Sequence, residues 1–331
     1  MNVRKYAPVF VVGCHRSGTN LLYDILMSAG GFAVYHASSP VYSTLIPLAG
    51  DLAIPRNREK MMQLWLRSKQ FRRSGLEPDQ VRSQIQDNCR NGGDFLRIVL
   101  GEIARHGSAT RWAVYDPDNI LHIPTIKREI PDALFVHIVR DGRDTALSLN
   151  KMRGVRPLWW DRTRDLFAVA LNWQWTVRKG RHYGQSFPDD YTEVHYEDLV
   201  TDPTQTLARL GTFLDHDLDY HRIQKAGIGR VSDPNTTWKE ESPARFHPVN
   251  RWKQKLSQRE IAALEMLIGD CLQEFGYSLA AKDRPQDIWL TLMRVLYPRY
   301  FEAKLSLKSN TPLGRFASTA PLELSEIHGR G

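Results

Sequence analysis

Two short stretches of this chain are apolar at nearly every position, and each runs into a glycine-containing loop. Val9-Phe10-Val11-Val12 ends at Gly13, and Ala133-Leu134-Phe135-Val136-His137-Ile138-Val139 ends at Arg140-Asp141-Gly142. Continuous β-branched and aromatic runs of this length predict buried parallel strands rather than half-exposed ones. After the first, Leu21, Leu22, Ile25, Leu26 and Ala29 fall on one helical face and Gly30-Gly31 supplies a stop. Thr192 to Tyr196 predicts a third strand, and Asp202-Pro203 then opens a helix with Leu207, Leu210 and Leu214 on one side. Ser257 with Glu260 forms a capping box ahead of Ile261, Leu264, Ile268, Cys271 and Phe275, and Gly276 closes that helix.

Strands alternating with helices imply a three-layer α/β fold, a central parallel sheet flanked by helices, of P-loop-like architecture. Residues 1–305 are expected to form one domain. Within it, 51–111 is polar and basic with scattered Trp65, Leu66, Phe71, Ile85, Phe95, Leu96 and Leu100, which predicts helices inserted on the side of a binding pocket. Residues 306–331 are expected to be a loosely ordered tail. Ile288 to Leu307 mixes Trp289, Leu292, Met293, Leu296, Tyr300 and Phe301 with Arg294, Arg299 and Lys304, a pattern for a packed terminal helix or for peripheral contact with a membrane surface.

Composition narrows the class. With 331 residues, 42% hydrophobic and 25% charged, the chain can bury a sizeable core and is not a disordered one. Its formal charge of +8 is spread along the chain rather than gathered in a block, so it points to an anionic ligand. No nucleic-acid motif accompanies it. Cys14, Cys89 and Cys271 stand far apart without metal spacing, which fits a reducing cytoplasm and gives no metal site. The apolar run at Pro8 to Gly13 is too short for a signal peptide or a membrane span.

The chemistry starts at Gly13-Cys14-His15-Arg16-Ser17-Gly18-Thr19-Asn20, between a strand and a helix, where backbone N–H groups and the helix dipole favour an anion. A Walker A loop would carry Lys-Ser/Thr where Thr19-Asn20 stand, so a nucleotide kinase or NTPase is the second reading. Arg16 inside the loop is placed to neutralise charge on a leaving phosphate and a transferring group.

Arg16-Ser17-Gly18-Thr19 before an apolar helix resembles the 5′-phosphosulfate loop of sulfotransferases that use 3′-phosphoadenosine 5′-phosphosulfate (PAPS), and is most similar to the bacterial, Golgi and tyrosylprotein branch. Val139-Arg140-Asp141-Gly142-Arg143-Asp144-Thr145-Ala146-Leu147-Ser148 resembles the family's 3′-phosphate segment, with Arg140 and Ser148 in the two phosphate-clasping places. His195-Tyr196-Glu197-Asp198-Leu199-Val200 is similar to a further segment whose Tyr, here Tyr196, lies by the adenine. The late basic loop matches through Arg245, Trp252 and Lys253 but lacks the family's glycines, and which of Arg245, Arg251 and Lys253 covers the 3′-phosphate is open.

The resemblance implies a PAPS-dependent enzyme that moves a sulfuryl group to a hydroxyl or amine by in-line displacement without a metal, with Arg16 catalytic and Arg16, Ser17, Gly18, Thr19 and Asn20 around the 5′ end. A base must take the acceptor proton. His36 stands where related tyrosylprotein enzymes have a Glu, and Asp116 of Tyr115-Asp116-Pro117-Asp118 is the competing residue. A histidine base would titrate near pH 6.5, an ordinary carboxylate well below. Trp159-Trp160 and Trp173 with Trp175 are read as acceptor-cleft or core residues. A protein that binds PAPS or its desulfated product (PAP) without catalysis is the third reading. The sequence leaves the acceptor open among a glycan or other sugar hydroxyl, a phenol or other small molecule, a peptide tyrosine, a lipid and a polyketide, and the oligomeric state open as well.

Overall fold

The structure, a computed structural model, describes residues 3–152, 165–232, 247–281 and 287–310. Four parallel strands, β1 Val9–Val12, β2 Ala113–Tyr115, β3 Leu134–Val139 and β4 Tyr191–His195, lie in the order β2-β1-β3-β4. Val11 pairs with Tyr115 on one side and Val136 on the other, so the ends of β1, β2 and β3 share one edge of the sheet.

The period of two decides the layers. Phe10, Val12 and Phe135 face a core built with Trp65, Phe95 and Leu100 from the inserted helices Pro55–Leu66 and Gly92–His106. Val9, Val11, Val136 and Ile138 face the opposite way, onto Leu22 and Leu26 of the helix Thr19–Ala29 and Leu207 and Leu210 of the helix Pro203–Leu214. A third core forms where Trp173, Leu264 and Tyr297 bring together the helices Asp165–Gly184, Gln258–Glu274 and Ile288–Asn310. The three-layer α/β architecture is therefore present.

Local signals set the helix ends. Ser257 Oγ accepts from Glu260 N and Glu260 Oε2 accepts from Ser257 N at 2.8 Å, the reciprocal box that the sequence predicts. Asp202 caps the helix that Pro203 opens, accepting from Gln205 N at 3.2 Å. Gly276 takes φ 81°, which lets Tyr277 N reach back to Leu272 O at 2.8 Å.

Some elements differ from expectation. The strand β2 has only three residues and no alternating pattern of its own; β1 supplies its pairing. Tyr196 opens the helix Tyr196–Thr201 rather than ending β4. Trp173 is fully buried and donates its indole N–H to Arg140 O at 3.0 Å, so it is a core residue. Trp175 bonds Glu302 Oε1 at 2.9 Å on the far side. Trp159-Trp160 lie outside the described residues. The terminal helix runs through Asn310, past the expected start of the tail at 306, and residues 311–331 lie outside the described residues. Leu290, Met293, Tyr297 and Phe301 pack inward on that helix, while Ile288, Trp289, Leu292, Val295 and Leu296 are exposed. No helix among the described residues is long and apolar enough to cross a membrane.

Candidate functional site

The loop from Gly13 to Gly18 leaves β1 and bends across β3. A Cβ at Gly13 would lie 2.5 Å from Ile138 O, so only glycine admits this approach. Arg16 and Gly18 both take left-handed backbone angles, φ 70° and 100°, which turn the chain into the helix Thr19–Ala29. Gly18 offers no side-chain cap to that helix, and Ser17, fully buried, leaves its Oγ without a hydrogen-bond partner. A buried hydroxyl without a partner beside a helix N-terminus is a site prepared for an anion.

Three cationic side chains converge there. Arg16 Nε donates to Ser148 Oγ at 3.0 Å. Arg140 donates to Arg16 O at 3.2 Å and to Pro248 O at 2.6 Å, its guanidinium sits 4.5 Å from the centre of the Tyr196 ring, and its buried Nε has no partner. Tyr196 in turn presses on the loop, since a Cβ at Gly18 would fall 2.4 Å from its Cδ2. Burial first, and then the positive charges of Arg140 and Arg230, hold the Arg16 guanidinium below its ordinary range.

Arg16, Ser17, Gly18, Arg140, Ser148 and Tyr196 are thus brought together. Thr19 and Asn20 follow on the first helical turn, with Thr19 Oγ1 donating to Asn20 Oδ1 at 3.5 Å. Trp252 is buried under Arg143, whose guanidinium lies 3.7 Å from its ring, and its backbone N–H donates to Asp144 Oδ1 at 2.8 Å. Burial pushes Asp144 up to about 6. Arg251 is half-buried and Lys253 exposed on the same segment, and Arg245 lies outside the described residues. Arg230 was not foreseen. The available signal was Gly227 and Gly229, both at φ 56°, framing a basic turn whose Arg230 N binds Asp24 Oδ2 at 2.8 Å.

At the end of β2, Asp116 is buried, with Oδ2 accepting from Ser43 Oγ at 2.8 Å and Oδ1 from Asp118 N at 3.2 Å. His15, next to Arg16, pairs its Nε2 with Asp118 Oδ1 at 3.0 Å, a contact that spans the two loops and was also unforeseen. Burial alone would raise the Asp118 carboxyl, but the His15 charge and hydrogen bond outweigh it and hold Asp118 well below the usual carboxylate range. His36 is exposed; its carbonyl accepts from Arg73 Nη1 at 3.0 Å, and its ring charge reaches Asp24. Beside this edge the segment 35–45 and the inserted helices line a small pocket.

Comparison with known proteins adds three findings. Residues 8–220, well over half of the chain, match the profile of the sulfotransferase family. A candidate protein-tyrosine sulfotransferase of Caenorhabditis elegans is 30% identical over 124 residues, covering 37% of this chain and 47% of that protein, and its Caenorhabditis briggsae counterpart is 31% identical over 37% and 44%. The chain spans about half the length of the curated relatives it matches. Among solved structures, the sulfotransferase domain of the Synechococcus PCC 7002 olefin synthase superposes with TM-score 0.55 at 19% identity, over 83% of this chain and 96% of that one. The sulfotransferase domain of the curacin biosynthetic pathway gives 0.53 at 14%, over 83% and 99%. These two likenesses establish a shared fold.

Proposed function

The chain belongs to the sulfotransferase family, and we propose that it transfers a sulfuryl group from PAPS to a hydroxyl or amine of an acceptor by in-line displacement. The observation that carries this reading is the convergence of Arg16, Arg140 and Arg230 on a helix N-terminus whose Ser17 hydroxyl and Arg140 Nε await partners. A nucleotide with phosphate at both its 3′ and 5′ positions supplies enough negative charge and enough acceptor oxygens for all of them.

The roles follow from position. The loop 13–18 and Arg16 take the 5′ end, where charge grows on the bridging oxygen as the bond to sulfur breaks. Arg140 and Ser148 take the 3′-phosphate, and Tyr196 places the adenine. Ser148 Oγ already holds Arg16 Nε, so the residue assigned to the 3′ end also orients the residue assigned to the 5′ end. Of the two base readings we favour His36, because both Asp116 oxygens accept hydrogen bonds and that carboxylate is buried. Asp116 then shapes the acceptor wall through Ser43. The cysteines are free and buried, with burial raising Cys89 and Cys271 to about 12, and protonated thiols of this kind suit a cytoplasmic location.

The test is calorimetric binding of PAP and adenosine 5′-phosphate, followed by ³⁵S transfer from labelled PAPS into an extract, with EDTA present. PAP should bind at least about tenfold more tightly, and Arg16→Ala should remove labelling while leaving the melting temperature intact. Equal affinity for the two nucleotides, or transfer that requires magnesium, would overturn the reading, the second in favour of a phosphoryl-transfer enzyme.

A further inference from the structure

The peptide that joins Arg140 to Asp141 is held from both sides. Its carbonyl, Arg140 O, accepts the Trp173 indole N–H at 3.0 Å, and its N–H, on Asp141, donates to Glu197 Oε1 at 3.0 Å. A peptide unit is planar, so pinning its oxygen and its nitrogen together fixes the whole plane. That plane fixes the backbone of Arg140 on its C-terminal side, and so the direction in which the guanidinium leaves the end of β3. Glu197 follows Tyr196 on the first turn of the helix Tyr196–Thr201. One hydrogen bond therefore joins the neighbour of Tyr196 to the neighbour of Arg140, whose guanidinium lies 4.5 Å from the centre of the Tyr196 ring.

The second oxygen of that carboxylate is held as well. Tyr277 OH donates to Glu197 Oε2 at 2.9 Å, and His195 Nδ1 lies 3.1 Å from the same hydroxyl. A phenol has one proton, so with that proton directed to Glu197 it is His195 Nδ1–H that donates to the phenol oxygen. Burial and the Glu197 charge push the Tyr277 hydroxyl up, which keeps it a donor. Tyr277 is itself fixed. Gly276 at φ 81° turns the chain so that Tyr277 N reaches Leu272 O at 2.8 Å, and Arg143 Nη2 donates to Ser278 O, on the next residue, at 3.0 Å.

We infer that Glu197 and Tyr277 are positioning residues of the donor site, holding Arg140 and Tyr196 at the spacing that lets one nucleotide reach both. They act through those two side chains. Tyr277 lies beyond residues 8–220, which match the family profile, so the family likeness assigns it no part. A carboxylate that served only to hold the fold together would, on removal, weaken the binding of every nucleotide alike. One that aims Arg140 is felt where the 3′-phosphate is, because a displaced guanidinium loses its hydrogen bonds to that group while the loop 13–18 still holds the 5′ end.

The inference rests on the PAPS reading of the donor site, and the experiment separates the two. Calorimetry on the full chain would measure PAP and adenosine 5′-phosphate binding to the wild type, Glu197→Ala, Glu197→Gln and Tyr277→Phe. The wild type should prefer PAP at least about tenfold. Glu197→Ala should reduce that preference about fivefold and Tyr277→Phe about threefold, losses of the size of one hydrogen bond. Glu197→Gln keeps an oxygen for Asp141 N–H and should retain the preference within about twofold. Tyr277→Phe added to Glu197→Ala should change it no further, since Tyr277 acts through Glu197. Affinity lost equally for both nucleotides, or a preference unchanged in both Glu197→Ala and Tyr277→Phe, would overturn the inference and leave the donor reading standing. A wild type without the preference would sink the donor reading, and the inference with it. If Glu197→Ala does not fold, Tyr277→Phe decides, because it deletes a single oxygen.

Discussion

Ser148→Ala separates two roles that the site combines in one hydroxyl. Ser148 is buried, and its Oγ accepts from Arg16 Nε at 3.0 Å. Loss of a hydrogen bond to a charged donor is worth about 1.5–3 kcal/mol. If that bond holds Arg16 where charge develops in the transition state, the same energy lowers kcat by about 10- to 150-fold. The helix Gly142–Met152 should not suffer, since alanine has the higher helix propensity. The assay is steady-state transfer with PAPS and with adenosine 5′-phosphosulfate, which lacks the 3′-phosphate. Any 3′-phosphate contact made by Ser148 appears in the donor KM and vanishes with the second donor, whereas the Arg16-positioning part stays in kcat with both. A variant whose entire defect disappears with adenosine 5′-phosphosulfate would show that Ser148 does not position Arg16. Normal kinetics with both donors would remove Ser148 from the site.

Gly18→Ala should lower stability by about 1–3 kcal/mol and weaken PAP binding, because φ 100° disfavours any Cβ and the new methyl meets the Tyr196 ring at 2.4 Å. In a Tyr196→Ala background Gly18→Ala should cost less in urea unfolding than it does alone, and an equal cost would mean that Tyr196 does not press on the loop. Asp144→Asn should stabilise the protein at pH 7.5 but not at pH 4. The folded-state value of about 6 lies above the ordinary 3.8, so the stability that goes with the protonated carboxyl is complete below about pH 4 and is lost as pH rises through 6. That rise corresponds to about 3 kcal/mol. Urea titrations of both proteins should diverge across that window, and parallel curves would show that Asp144 ionises normally.

The donor half of the site was legible because each part is local. Glycine, left-handed backbone and helix start fall within Gly13 to Thr19, and the sequence alone places them after a strand. The strand end at Arg140 is equally local. Contacts that cross the chain were not legible: Ser43 meets Asp116 across 73 positions, and His15 meets Asp118 across 103. Both depend on β2, which at three residues has too little pattern to be read before β1 pairs with it. Arg230 was hidden for a related reason, since only the fold of Gly229 against Asp24 brings that turn to the first helix.

Two arginines three residues apart show how the structure assigns charge. Arg143 lies between Asp141 and Glu265, at 2.7 and 2.5 Å, all three buried, so its charge is cancelled and it serves as a support for Trp252. Among the described residues no carboxylate comes within ion-pair distance of Arg140. Its partners are two carbonyl oxygens and the face of Tyr196, which orient a guanidinium without neutralising it. The nearby carboxyl that feels Arg140 is Asp144, and burial raises it to about 6, which weakens its hold as a counter-ion near that pH. Orientation without cancellation leaves Arg140 set against Arg16, a repulsion that an anion entering between the loop and the strand end would relieve. An oriented Arg140 that no carboxylate pairs among the described residues, set beside Arg16, is the physical reason to read the site as one that binds a multiply charged donor and not as a structural ion cluster.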